Sequence, residues 1–126
     1  MTEPSKILKK YWGYPSFRPL QEEIIHSVLQ GQDTLALLPT GGGKSVCFQV
    51  PALAQDGVTL VISPLIALMK DQVEQLEARQ IPAAAVYSGM SFRELDDCFS
   101  RAARGEIKLL YLSPERLKTE LAIERI

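Results

Sequence analysis

Residues 38–53 read LPTGGGKSVCFQVPAL. Their types and order suit one chemistry, the holding of a phosphate. Gly41, Gly42 and Gly43 allow the tight, open curve whose backbone amides point inward at an anion. Lys44 and Ser45 follow at the start of an amphipathic run. A helix beginning there adds its unpaired N–H groups and the positive end of its dipole. In that setting Lys44 reaches the outer phosphates and is the candidate catalytic residue, while Ser45 ligates Mg2+. As a bare turn the stretch makes poor sense. Three glycines cost chain entropy, and a lysine at a helix start opposes the dipole unless an anion is present. The pattern departs from the strict phosphate-loop template, G-x-x-x-x-G-K-[ST], at its first position, where Leu38 stands. Pro39 and Thr40 can supply the turn that a first glycine would give.

The segments around this loop must hold it in place. TLALL (34–38), VTLVI (58–62), AAAVY (83–87) and KLLYL (108–112) are short and largely apolar throughout, as strands covered on both faces are. Amphipathic runs separate them. Leu65, Met69, Val73 and Leu76 predict one helical stripe; Phe92, Leu95 and Phe99 predict a second. Leu20, Ile24 and Val28 predict a third, ahead of the first strand. Ser91 and Glu94 have the spacing of a capping box. Ser63-Pro64 and Ser113-Pro114 each set a serine at the N-cap and a proline at the first helical position. Pro51 is expected to kink or end the helix after the loop. Strands that feed helices in repeated order predict an α/β fold with a parallel sheet and helices on both faces. Ligands of such sheets bind at the carboxyl ends of the strands. The glycine loop, Ser63 and Ser113 all stand there.

Bulk properties narrow the class. The chain has 126 residues, 46% of them hydrophobic, and a net charge of −1. That fits one domain with a real core and gives no support for a strongly basic surface. Cys47 and Cys98 have no neighbouring cysteine or histidine, which argues against zinc, and a disulfide is not expected. No apolar run approaches the roughly 18 residues of a membrane span. The amino terminus has no apolar signal region. The chain therefore reads as soluble, cytoplasmic and without a membrane partner. His26 reads as solvated or half-buried.

LPTGGGKS resembles motif I of superfamily-two helicases, and with CFQVPAL it is similar to the RecQ group. WGYPSFRPLQEEII (12–25) resembles the motif that precedes the phosphate loop in RecQ proteins. VISPLIALMKDQVEQL (61–76) and IKLLYLSPERL (107–117) resemble motifs Ia and Ib. The resemblance spans residues 8 to 118 and implies a RecA-like P-loop NTPase fold truncated before the Walker B strand. It implies one domain, the first part of the first motor domain, with 1–33 recognising adenine and 34–126 holding the phosphate loop and motifs Ia and Ib. It also implies ATP with Mg2+, and DNA, single-stranded and partly duplex, as partner. By this match Tyr14 and Arg18 sandwich the adenine and Gln21 hydrogen-bonds its edge, choices consistent with stacking and carboxamide chemistry. Pro39, Thr40, Gly41, Gly42, Gly43, Lys44 and Ser45 hold the phosphates and the metal. Ser63, Pro64, Leu65 and Lys70 of motif Ia are expected to meet the DNA backbone. Ser88, with Gly89, extends that track, and Pro114, Glu115 and Arg116 of motif Ib join it. Glu115 and Arg116 could instead pair with each other. Trp12, where many relatives carry Phe, reads as packing.

The resemblance further implies an ATP-dependent helicase that moves 3′ to 5′ on DNA and acts in recombination and repair. ATP hydrolysis needs a carboxylate pair at a strand end. No apolar run here ends in Asp-Glu, and the family places that motif beyond Ile126. The expectation is therefore weak ATP binding, negligible hydrolysis and no unwinding by these residues alone. An apolar surface left by absent strands predicts self-association. Two other readings stand beside this one. A DEAD-box-like RNA helicase would carry Ala or Ser among its loop glycines. A non-motor nucleotide-binding module would show no ATPase stimulated by nucleic acid.

Overall fold

The computed structural model describes residues 3–37 and 44–117. They fall into two compact units, Met1–Asp56 and Gly57–Ile126. The first is helical. Helix α1 (Pro4–Ile7) opens on a proline, whose missing amide would have had no partner in the first turn. It continues into a π-helical turn, Leu8–Trp12, which Gly13 ends at φ 74. Helices α2 (Gln21–Leu29) and α3 (Val46–Ala54) follow. Ile7, Leu8, Ile25, Val46, Val50 and Ala54 form the core of this unit, with Trp12 and Phe17 packed against it. Trp12 also meets Tyr11 edge-on, so it packs as expected.

Two expectations for this unit are corrected, and a third is narrowed. The buried line of α2 is Gln21 and Ile25, one residue on from the predicted stripe, and Leu20 is exposed. The helix starts only at Gln21, and Leu20 stands before it in the left-handed region at φ 74. Residues 34–37 pair in no strand among the described residues, and Leu35 and Leu37 are 85% and 80% exposed. An apolar, strand-like composition makes a strand only where a neighbour takes its backbone hydrogen bonds. Pro51 does not end α3, which runs on to Ala54, with the Gln55 amide on the Pro51 carbonyl at 3.1 Å. Val50, Pro51 and Ala52 are all buried, and that packing outweighs the lost backbone bond.

The second unit is a three-stranded parallel sheet in the order β1 (Thr59–Ile62), β3 (Leu109–Leu112), β2 (Ala83–Val86). Each strand lies within one residue of its predicted place at either end. The register sets Leu60 and Ala84 beside Leu110, and Ile62 and Val86 beside Leu112. Alternation then divides the faces. Helix α5 (Phe92–Ala103) covers one face through Leu95, Cys98 and Phe99, which meet Ala84, Val86, Leu110 and Leu112. Helix α4 (Ile66–Ala78) covers the other, where the buried Tyr111 hydroxyl donates to Gln72 Oε1 at 2.7 Å. Helices on both faces are thus as predicted, but β1 is not covered on both of its own. Val58, Leu60 and Ile62 remain exposed on the α5 face, because α5 sits over β2 and β3.

The helix starts divide the same way. The Ser91 capping box forms in full: the Glu94 amide donates to Ser91 Oγ at 3.2 Å, and the Ser91 amide to Glu94 Oε1 at 3.1 Å. The bond from the Ser91 amide holds the Glu94 carboxyl below its ordinary pKa. Helix α6 (Pro114–Leu117) begins straight after Ser113, as the sequence suggests. At 63–64 the expectation fails, since α4 starts at Ile66 and its N-cap is Leu65. The Ser63 hydroxyl accepts the Leu65 amide at 3.2 Å, a local turn that uses the serine before the helix begins. Phe92, at the first position of α5, is 70% exposed, and the true stripe runs from Leu95 through Cys98 to Phe99. On α4 the buried members are Met69 and Leu76; Val73 is half-buried and Leu65 exposed. No described helix is long and apolar enough to cross a membrane.

Candidate nucleotide and nucleic-acid sites

The residues assigned to nucleotide all lie in the first unit. The turn that leads into α2 is closed from both sides. The Arg18 amide donates to Gln21 Oε1 at 2.8 Å, and the Gln21 amide donates back to the Arg18 carbonyl at 3.1 Å. Leu20 sits between them in a conformation that costs a branched residue roughly 1–2 kcal/mol. Backbone strain persists where its surroundings enforce it and often marks a functional site. Gln21 is 4% exposed, so its carboxamide is fixed, whereas Tyr14 and Arg18 present exposed side chains.

Lys44 and Ser45 lead into α3. The Lys44 carbonyl accepts the Cys47 amide at 3.1 Å, and the Ser45 carbonyl accepts the Gln49 amide at 2.9 Å. The helix is therefore already turning at Lys44, as the phosphate-loop reading requires. The Ser45 side chain does not cap α3. Lys44 is exposed at a hollow of about 230 Å³ that it shares with Ile24, Thr34, Ala36, Cys47 and Phe48. Thr34 and Ala36, read from the sequence only as strand, thus line space beside the lysine. A larger hollow, about 420 Å³ among Phe17, Glu22, Ile25, His26 and Leu29, holds none of the assigned nucleotide residues. Pro39, Thr40, Gly41, Gly42 and Gly43 lie outside the described residues. A Mg2+ site of the phosphate-loop kind needs few protein ligands, because water and phosphate supply the rest. Ser45 suits that donor set. Burial pushes the Cys47 thiol upward, against thiolate chemistry at this place. His26 is exposed, as expected, and its Nε2 meets Gln30 Nε2 at 2.9 Å.

The residues assigned to nucleic acid lie in the second unit, along the carboxyl ends of the strands. The ladder continues one residue past β1 and β3. The Ser63 amide donates to the Leu112 carbonyl at 3.0 Å, and the Ser113 amide to the Val86 carbonyl at 3.1 Å. Ser63, Ser113 and the segment after Val86 therefore form one row. Pro64, Leu65 and Ser88 are exposed on it, Ser63 and Pro114 are half-buried, and Ser113 is buried. Glu115 is exposed, and the backbone of Arg116 lies in α6. Lys70 is not simply solvated: its ammonium stands 4.6 Å from the centre of the Tyr87 ring. The sequence reading missed Tyr87. An aromatic residue directly before Ser88-Gly89 at a strand end was the available signal.

The sequence matches the DEAD/DEAH box helicase family over residues 18–125. The chain belongs to that family. Within it the chain is of RecQ type. It is 50% identical over 113 residues to the ATP-dependent DNA helicase RecQ of Haemophilus influenzae, covering 90% of this chain and 18% of that protein. The RecQ of Synechocystis is also 50% identical over 113 residues, with 90% and 24% covered. The probable ATP-dependent DNA helicase RecS of Bacillus subtilis is 44% identical over the whole chain and 25% of its own length. The chain thus spans 18% to 25% of these relatives. A crystal structure of a hypothetical ATP-dependent RNA helicase from Sulfolobus tokodaii superposes with a TM-score of 0.72, at 22% identity. It covers all of this chain and 38% of its own, and bears out the RecA-like α/β fold.

Proposed function

We propose that this chain is the ATP-binding part of an ATP-dependent DNA helicase of RecQ type, one that moves 3′ to 5′ on single-stranded DNA and serves recombination and repair inside the cell. The observation that carries this reading is the 50% identity, over nine-tenths of the chain, to proteins named ATP-dependent DNA helicases. Residues 1–33 recognise adenine: Tyr14 and Arg18 stack on the base and Gln21 reads its edge. The loop from Pro39 to Gly43 wraps the phosphates, Lys44 meets their charge and Ser45 faces Mg2+. Ser63, Pro64, Leu65, Lys70, Ser88, Pro114, Glu115 and Arg116 make the DNA track, by side chain or by backbone amide. What ATP supplies is a bond whose cleavage drives motion; what these residues supply is grip and orientation. Since no apolar run here ends in Asp-Glu, these residues bind ATP weakly and neither hydrolyse it nor unwind DNA by themselves.

Titration of the chain with a fluorescent ATP analogue and Mg2+, competed by unlabelled ATP or GTP, tests the nucleotide site. ATP should displace the analogue better than GTP, with no phosphate released. Equal competition would remove the adenine assignment, and steady turnover would remove the claim of inactivity. Fluorescence anisotropy with labelled single-stranded DNA and RNA tests the track. A preference for RNA would favour the DEAD-box reading, and binding to neither would favour a non-motor module.

The exposed row Val58, Leu60 and Ile62 supports self-association of the chain through the β1 edge. Sedimentation velocity should show a weight-average coefficient that rises with concentration and falls back in Leu60→Lys. A single monomeric species at high concentration would end that part of the proposal.

A further inference from the structure

We propose that Tyr87 is a positioning residue for nucleic-acid binding: its ring holds the Lys70 ammonium at the carboxyl edge of the sheet, beside Ser88. The proposal rests on the assignment of that edge to nucleic acid. Tyr87 directly follows β2, and Lys70 lies in the second turn of α4, a different element. The ammonium is 4.6 Å from the ring centre, within cation–π range. Tyr87 is half-buried, and its own backbone is tied down, with its amide on Met90 Sδ at 3.3 Å. The anchor is therefore more fixed than the exposed lysine it holds.

Lysine has a flexible four-carbon stem, and ordering it on binding costs entropy. A ring contact restrains the stem before the phosphate arrives. It does so without neutralising the charge, because a cation over a π face keeps its N–H donors for an anion on the far side. An ion pair would not have this property. Glu74, one turn along α4, and Glu77 line the same shallow hollow as Lys70, Val73, Ala85 and Tyr87. Among the described residues Lys70 makes no ion pair with either carboxylate. Their charge disfavours a phosphate inside the hollow.

The test is the affinity of the full 126-residue chain for a fluorescein-labelled oligothymidine at low salt, read by anisotropy, with thermal melting of each variant. Tyr87→Phe keeps the ring and should bind like the parent chain. Tyr87→Leu should bind about two- to fivefold more weakly. Lys70→Ala should lose at least as much, and the double variant no more than Lys70→Ala alone, because the tyrosine acts through the lysine. If Tyr87→Leu does not fold, Tyr87→Met takes its place in the cycle. Normal DNA affinity in Tyr87→Leu, with a loss in Lys70→Ala, overturns the role of Tyr87 and leaves the edge assignment standing. Additive losses in the double variant, or an equal loss in Tyr87→Phe, also overturn it. Normal affinity in Lys70→Ala overturns the placement of DNA at Lys70 and the proposal with it.

Discussion

Lys44→Ala should weaken ATP binding about 10- to 100-fold while leaving the fold unchanged. The size follows from the interaction removed. A hydrogen bond to a charged group is worth about 1.5–3 kcal/mol, and each 1.4 kcal/mol is tenfold in affinity. The absence of a folding penalty follows from position. Lys44 is exposed beside a hollow, and its contribution to α3 is its backbone carbonyl, which alanine keeps. Removing a cation from a helix start should even raise the melting temperature slightly without nucleotide, since the dipole then opposes nothing. The measurement is a paired one: analogue titration for affinity, and thermal melting with and without ATP. Affinity should fall and the apo melting temperature hold or rise. Equal affinity in both chains would disconnect Lys44 from the phosphates. A fall in apo stability would mean that the lysine is held by the protein itself.

The same residue shows what was legible in sequence. The start of α3 just after Lys44 could be read because glycines before a Lys-Ser step act within a few residues. The three strands at 59–62, 83–86 and 109–112 could be read because each pairs with another described strand, so composition and pairing agree. Residues 34–37 have a similar composition and no such partner, and there the reading failed. Pairing is non-local and cannot be seen in the apolar run that needs it. The Tyr87–Lys70 contact was hidden for a related reason. It joins residues 17 positions apart on two elements, and only the packing of α4 against the sheet brings them together. The fixation of Gln21 was not legible either, since it goes with Leu20 at φ 74.

Helix phase is the third kind of error, and one experiment separates the two versions of α5. The sequence stripe gave Phe92 and Phe99 equal weight. In the structure Phe99 is 4% exposed against Ala84, Val86, Leu110 and Leu112, while Phe92 is 70% exposed. Phe99→Ala should therefore cost about 3–5 kcal/mol, the range for a buried phenylalanine that leaves a cavity behind. A domain is stable by only about 5–15 kcal/mol in total, so this change brings the unit close to unfolding. Phe92→Ala should stay within about 0.5 kcal/mol of the parent, as exposed substitutions do. The Ser91 box sets this difference. By fixing the N-cap it makes Phe92 the first helical residue, and from there the spacing of 3.6 residues per turn carries Leu95, Cys98 and Phe99 inward together. Urea unfolding followed by circular dichroism measures both variants. Comparable losses would show that both rings are buried and that the helix is rotated from the orientation described.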